Sequence, residues 1–375
     1  MKHITPPAAP ATPRPPTTTP VGTTRNDLPG TWNEGLANAV RDPDTLIDLL
    51  DLPDDLRESA RRAARLFPLV APRELLARVR RGNPDDPLLR QILPLDVEAD
   101  EVRGYTLDPL AEEMAERTPG LLHKYRGRAL LVAAGVCAIN CRYCFRRHYP
   151  YDRTPHGIEA WKPALNELRA DASIHEIILS GGDPLVLTDV ALARLVERLD
   201  TIAHLRRLRI HTRLPVVIPQ RVDDALVGWL RRTRLTPVVV VHTNHPNEID
   251  DACAAAFGRL VDAGIPVLNQ TVLLRGVNDD ADVLTTLCER LADLRVMPYY
   301  LHQLDAVTGT AHFHVDENRG LEIVAALRMR LPGYAVPRYV REAPGIGHKV
   351  EIRHGQRDQD SAPSRQPNES SSVGS

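Results

Sequence analysis

From about residue 129 onward, short apolar runs alternate with helix-length stretches, and few folds accommodate such a pattern. The runs are 129–134, 176–179, 207–211, 237–242, 266–272 and 296–301. Between them fall stretches of helical character at 190–202, 223–232, 247–263 and 280–294. Strands that alternate with helices imply parallel β/α units. Six such units are fewer than the eight of a closed barrel. The periodicity alone allows an open six-unit barrel or a doubly wound sheet. Polar residues gather where each run ends: Cys137–Cys144, Ser180–Asp183, His211–Arg213, His242–Asn247, Asn269-Gln270 and His302–Asp305. Active sites of parallel β/α folds lie at the carboxyl ends of their strands. One site at the mouth of the sheet is therefore expected.

The first of these clusters holds three of the five cysteines, Cys137, Cys141 and Cys144, spaced C-x3-C-x2-C. Iron–sulfur clusters are normally held by cysteine thiolates. Three thiolates would hold three irons of a [4Fe–4S] cluster and leave one iron open. Structural zinc sites take four protein ligands instead, and His148 is available as a fourth. Cys253 and Cys288 are far apart and lie within helix-like stretches, so no disulfide framework is expected. A thiolate site implies a reducing compartment. No signal-type apolar segment or membrane-length run occurs, and a net charge of −2 supplies no bulk field for nucleic acid or membrane. A soluble cytoplasmic protein without nucleic-acid or membrane partners is expected.

Four segments are predicted. Residues 1–26, rich in Pro, Thr and Ala, and the Ser-rich 355–375 are expected to be disordered. Residues 27–110 read as a helical region, with Asp54 or Asp55 capping one helix and Pro72–Arg81 forming another. This region is expected to cover the larger part, residues 111–354. Arg73, Arg78, Arg80 and Arg81 read as a solvated face.

Two further stretches carry chemistry. In Ser180-Gly-Gly-Asp183 the glycines let a backbone approach a ligand closely, and Asp183 can accept a hydrogen bond from an ammonium. Near the end, Arg341-Glu-Ala-Pro-Gly-Ile-Gly-His-Lys349 places a lysine after a glycine-bearing loop. Such a lysine can attach to pyridoxal 5′-phosphate (PLP).

The cysteine spacing, with aromatic Tyr143 before the third cysteine, resembles the signature of radical S-adenosylmethionine (SAM) enzymes. Over residues 83–349 the chain is similar to the lysine 2,3-aminomutase family, which uses PLP as well. The resemblance rests on His123-Lys-Tyr-Arg-Gly-Arg128, Cys137–Arg147, Ser180–Pro184, Arg213–Pro219, Asn244–Glu248, Asn269–Asp279, Met297–Tyr300 and the lysine loop. Asp42-Pro-Asp44, 82–91, Arg209–Arg213 and Tyr299–His302 resemble the short branch that makes β-lysine for elongation factor P.

This resemblance implies an α/β fold: a partial (β/α)6 radical SAM barrel preceded by a helical region. It implies a [4Fe–4S] cluster on Cys137, Cys141 and Cys144, and SAM near Tyr143, Ser180, Gly181, Gly182, Asp183 and Gln270. It implies PLP on Lys349 with Arg128 close by. Arg146 would meet the substrate carboxylate, and Asp305 with Glu342 the distal ammonium of L-lysine. Fermentative relatives carry Asp where Glu342 stands. The implied activity is an isomerase that moves the amino group of lysine from C2 to C3. An external electron donor and an elongation factor P lysyl ligase are the implied partners. The alternatives are an aminomutase for arginine or glutamate, and a zinc-structured binding protein.

Overall fold

A computed structural model describes residues 30–354. Both tails expected to be disordered lie outside the described residues. The chain builds one sheet of ten strands in sequential order. These are β1 (Glu116–Thr118), β2 (Leu121–Tyr125), β3 (Arg128–Ala134), β4 (Glu176–Gly181), β5 (Arg207–Thr212), β6 (Thr236–His242), β7 (Val267–Val272), β8 (Met297–His302), β9 (Arg338–Arg341) and β10 (Val350–Glu351). From β3 to β9 each strand runs parallel to the next. β1, β2 and β10 are antiparallel additions at the two ends. β1 and β10 do not pair with each other, so the sheet is an open barrel and not a closed one.

The six predicted strands are β3 to β8, each matching its apolar run to within two residues. They read clearly because one face of each is packed in apolar residues under the covering helices, while the other lines the barrel interior with a mixture of apolar and polar side chains. Leu131, Ile177, Leu179, Leu208, Ile210, Val239 and Val241 are all buried. β1, β2, β9 and β10 had no such signal, being short and partly polar.

Helix starts follow acidic or hydroxyl caps, whose side chains satisfy backbone N–H groups at the first turn. Thr188 accepts from Ala191, Asp223 from Leu226, Asp250 from Cys253, and Asp280 from Val283. The helix expected over 247–263 begins only at Asp251. Residues Pro246–Glu248 form a separate single turn, because Glu248 faces inward and accepts from the N–H groups of Asn244 and His245. Asp55 precedes the helix Leu56–Leu66 but makes no capping bond with its side chain, and Asp54 instead meets Arg57. The helix expected over 72–81 covers only Arg73–Leu76.

The helical region is bound to the barrel through buried charge. Arg78 is no surface residue: Nη1 donates to the Val216 carbonyl at 2.8 Å, and Nε lies 3.3 Å from Asp250. Glu98 takes Nε of Arg142 at 2.8 Å and Nη2 of Arg147 at 2.6 Å. Both arginines belong to the cysteine loop, and all three side chains are buried. One carboxylate thus secures the loop to the residues before it.

Removing one partner of a buried pair strands the other charge and costs roughly 3–5 kcal/mol. Glu98→Ala is therefore expected to lower unfolding stability by about 3 kcal/mol or more. Urea titration of the anaerobic protein measures this. A loss below about 1 kcal/mol would show that the arginines find other partners.

Candidate active site

The segment after β3 carries Cys137, Cys141 and Cys144, all half-buried. Its backbone is pinned from outside: N–H of Asn140 donates to the Val70 carbonyl at 3.0 Å, and that of Arg142 to the Gln91 carbonyl at 2.9 Å. The thiols lie within electrostatic reach of one another. Burial, together with the neighbouring thiols, pushes Cys137 well above its ordinary value and Cys144 up to about 12. Thiols raised in this way ionise side by side only with positive charge near them, as irons provide. Arg213 brings one cation, with Nη1 2.8 Å from Cys141 Sγ. The donor set thus fits a cluster.

His148 does not join the cysteines; its Nε2 lies 3.1 Å from the Thr308 carbonyl oxygen. Among the described residues no three His, Cys, Asp or Glu side chains converge on a single-ion site. A zinc ion would draw four ligands to about 2.0–2.3 Å, whereas a cubane spreads its cysteines over separate irons.

Ser180 and Gly181 end β4, and the turn that follows lies against the cysteine loop. Gly181 has φ +117°. A Cβ on Gly182 would come within 2.2 Å of the Val136 carbonyl oxygen, so only glycine fits. N–H of Asp183 donates to that carbonyl at 2.9 Å. The Asp183 carboxylate accepts from Thr212 Oγ1 at 2.7 Å, the Arg213 N–H at 2.7 Å and the Leu185 N–H at 3.0 Å. It ties β4 to β5 through bonds within the fold. Tyr143 is buried among Leu274, Val277, Leu304 and Phe313, with its hydroxyl 2.9 Å from His242 Nε2. Burial beside Arg213 drives His242 down to about 3, so the ring is neutral. Gln270 is half-buried in β7, in register with His242 and Tyr300.

A ladder of alternating charge runs from the cysteine loop to the last hairpin. Arg146 Nε and Nη2 donate to the two oxygens of Glu112 at 2.7 and 2.9 Å, and Nη1 to Ser180 Oγ at 3.2 Å. Glu112 Oε1 meets Lys124 Nζ at 3.0 Å. Lys124 lies 3.5 Å from Glu342 Oε2, and the other Glu342 oxygen pairs with Lys349 Nζ. The two lysines hold the Glu342 carboxyl down at about 2. Asp305 goes the other way, up to about 7, through burial and the negative charge of Glu342. Lys349 also stands over the Tyr300 ring, and Arg128 lies 4.4 Å from the Tyr125 ring centroid. His211 and His302 lie within electrostatic reach of Lys349, and burial keeps both neutral. Nε2 of His211 is buried without a hydrogen-bond partner. A cofactor on Lys349 would find cations, aromatic faces and an unspent ring nitrogen, so the residues fit PLP. A cavity of about 1030 Å³ opens beside Asp305 and Glu342.

Arg146, Ser180, Glu342 and Lys349 are thus linked through charge, with Asp305 beside them. Glu112 and the link made by Lys124 were not expected. Glu112 lies in a one-turn helix behind Ala111, whose φ is +50°. No motif marks that position; only Asp108, which accepts from the Glu112 N–H at 3.0 Å, hints at a cap. His211 was recognised as part of a motif but not as a site residue.

The family model described as the radical SAM superfamily matches residues 131–287. The chain is 46% identical over 319 residues to a Haemophilus influenzae protein named L-lysine 2,3-aminomutase, covering 85% of this chain and 94% of that one. An Escherichia coli protein of the same name is 46% identical over 322 residues, covering 86% and 94%. One from Clostridium subterminale is 34% identical over 325 residues, covering 86% and 77%. With the cysteine loop and charge ladder at the mouth of an open β/α barrel, the chain belongs to the L-lysine 2,3-aminomutase family of radical SAM enzymes.

Proposed function

We propose that this chain isomerises L-lysine to β-lysine with a [4Fe–4S] cluster, SAM and PLP. The observation that carries the reading is the charge ladder. It offers a guanidinium at one end, an acid pair at the other and a lysine amine beside that pair. L-Lysine has the matching charges, a carboxylate and a distant ammonium. A glutamate side chain would be repelled by Asp305 and Glu342.

When bound, the cofactors supply the radical chemistry. The chain's own residues bind, orient and exclude water. Cys137, Cys141 and Cys144 hold the cluster. Tyr143, Ser180, Gly181, Gly182, Asp183 and Gln270 shape the SAM side. Lys349 holds PLP, with Arg128 near it. Glu112 occupies the Nε/Nη2 edge of Arg146, which leaves one N–H on Nη1 and one on Nη2 for the substrate carboxylate. A guanidinium fork fits a carboxylate through two such bonds. Glu342 pairs with both Lys124 and Lys349, and the substrate ammonium would replace one of them as its partner.

The cellular role we propose is to make β-lysine for elongation factor P, with a low-potential external electron donor and a lysyl ligase acting beside this enzyme. Support comes from the similarity to the short branch. The chain spans 94% of the Haemophilus and Escherichia proteins but 77% of the Clostridium one. Conversion of labelled L-lysine under anaerobic conditions with SAM, PLP and a reductant tests the activity. Preferential turnover of arginine would replace lysine as the substrate.

Cys137→Ala, Cys141→Ala or Cys144→Ala should each prevent assembly of a full cluster, while Cys253→Ala and Cys288→Ala should not. Iron and sulfide analysis after reconstitution decides this, and full iron in the Cys141 variant would refute the assignment. Borohydride treatment of the PLP-loaded protein, then peptide mapping, should place the reduced cofactor on Lys349. Label confined to Lys124 would move the site along the ladder.

Asp305, titrating near 7, is neutral below that pH and anionic above it. Glu342, Lys349, Lys124 and Glu112 are the charged groups that act on it. The free enzyme's kcat/KM for lysine should therefore rise as pH passes upward through about 7. Asp305→Asn should abolish that rise and lower kcat/KM at least about tenfold at pH 8. An unchanged profile would mean that another group holds the ammonium. The sign for stability is opposite. The folded chain retains a proton that the unfolded chain releases, so this carboxyl costs stability as pH climbs from about 4 to 7.

A further inference from the structure

Arg213 has no place in the substrate reading, yet it is among the most tightly held side chains near the cysteines. Nη2 donates to Gln91 Oε1 at 2.7 Å and Glu248 Oε2 at 2.9 Å. Nη1 lies 2.8 Å from Cys141 Sγ. Its backbone N–H is fixed on Asp183. The residue is 6% exposed and Glu248 is 0% exposed. Glu248 is itself held, because Oε1 accepts from the N–H groups of Asn244 and His245 and from the Gln91 amide. The guanidinium can neither turn toward solvent nor leave the sulfur without breaking this set.

We infer that Arg213 is a positioning residue for the iron–sulfur cluster, donating from Nη1 to the Cys141 sulfur and making the cluster easier to reduce. Reduction brings one electron from a low-potential one-electron donor into the cluster. No bond forms or breaks and no proton moves, so the cluster gains one negative charge. A cation fixed beside a cluster sulfur in a medium of low dielectric favours the more negative form. Hydrogen bonds to the sulfurs and the local net charge are the levers that set such potentials. Glu248 meets the other terminal nitrogen, Nη2, and offsets part of the guanidinium charge. The pair therefore sets the potential by difference, with the cation nearer the sulfur. This inference rests on the three-cysteine assignment, and the iron analysis above separates failure of that assignment from failure of this one.

The test uses the full chain reconstituted with iron and sulfide, titrated stepwise with a one-electron reductant. The reduced cluster is counted by electron paramagnetic resonance. Arg213→Gln keeps a hydrogen-bond donor and removes the charge. At the potential where half of the parent clusters are reduced, no more than about one in ten variant clusters should be, a shift of about 59 mV downward for one electron. Glu248→Gln keeps the arginine and removes its counter-charge, so its midpoint should move upward. The double variant should return toward the parent. An unchanged midpoint in either fully loaded single variant overturns the inference, as does movement of both in the same direction. If neither single variant binds a full complement of iron, Arg213 serves assembly and not potential, and the inference falls.

Discussion

A charge removed from water needs an opposite charge or a hydrogen bond, and this requirement organises the molecule around its cysteine loop. Glu98 meets Arg142 and Arg147, Glu112 meets Arg146, and Glu248 meets Arg213. Each carboxylate comes from outside the loop, while three of the four arginines lie within it. The loop is thus held by pairs whose rupture would leave a buried ion, a penalty of roughly 3–5 kcal/mol. Apolar burial makes the barrel, and ionic pairing decides where its working segment sits.

Much of the barrel could be read from the residues because its strands carry short, strongly apolar runs with a buried outer face. Val238–Val241 and Ile177–Leu179 leave little choice but strands. The end strands were invisible for the reverse reason: Glu116–Thr118 and Val350–Glu351 are short and carry charge. The helix expected from Asn247 failed because periodicity ignores side-chain polarity. Glu248 fits a helical pattern, but its carboxylate serves Arg213 and the local backbone, so the helix waits for Asp250 to cap it.

The site was legible where chemistry demands a fixed spacing and opaque where it depends on folding. Three cysteines within one loop announce themselves. Glu112 does not, because its partner Arg146 lies beyond three intervening strands, and a left-handed Ala111 directs the chain there. Asp183 was recognised for its place beside the glycines, yet its oxygens are engaged by Thr212 and the Arg213 backbone. A motif identifies which residue matters; its hydrogen bonds decide whether that residue meets a ligand or holds the frame.

The open barrel has a consequence for how copies of this chain behave together. A sheet that does not close exposes backbone donors and acceptors at two edges, which can recruit strands from other molecules. Among the described residues these edges are β1, three residues long, and β10, two residues long. Glu116 and Arg117 in β1 are exposed, and Glu351 in β10 is paired with Arg353. Neither edge offers the length or the apolar face on which an intermolecular sheet could grow. Among the described residues, the barrel is thus left open at its mouth with edges that give other chains little backbone to pair with.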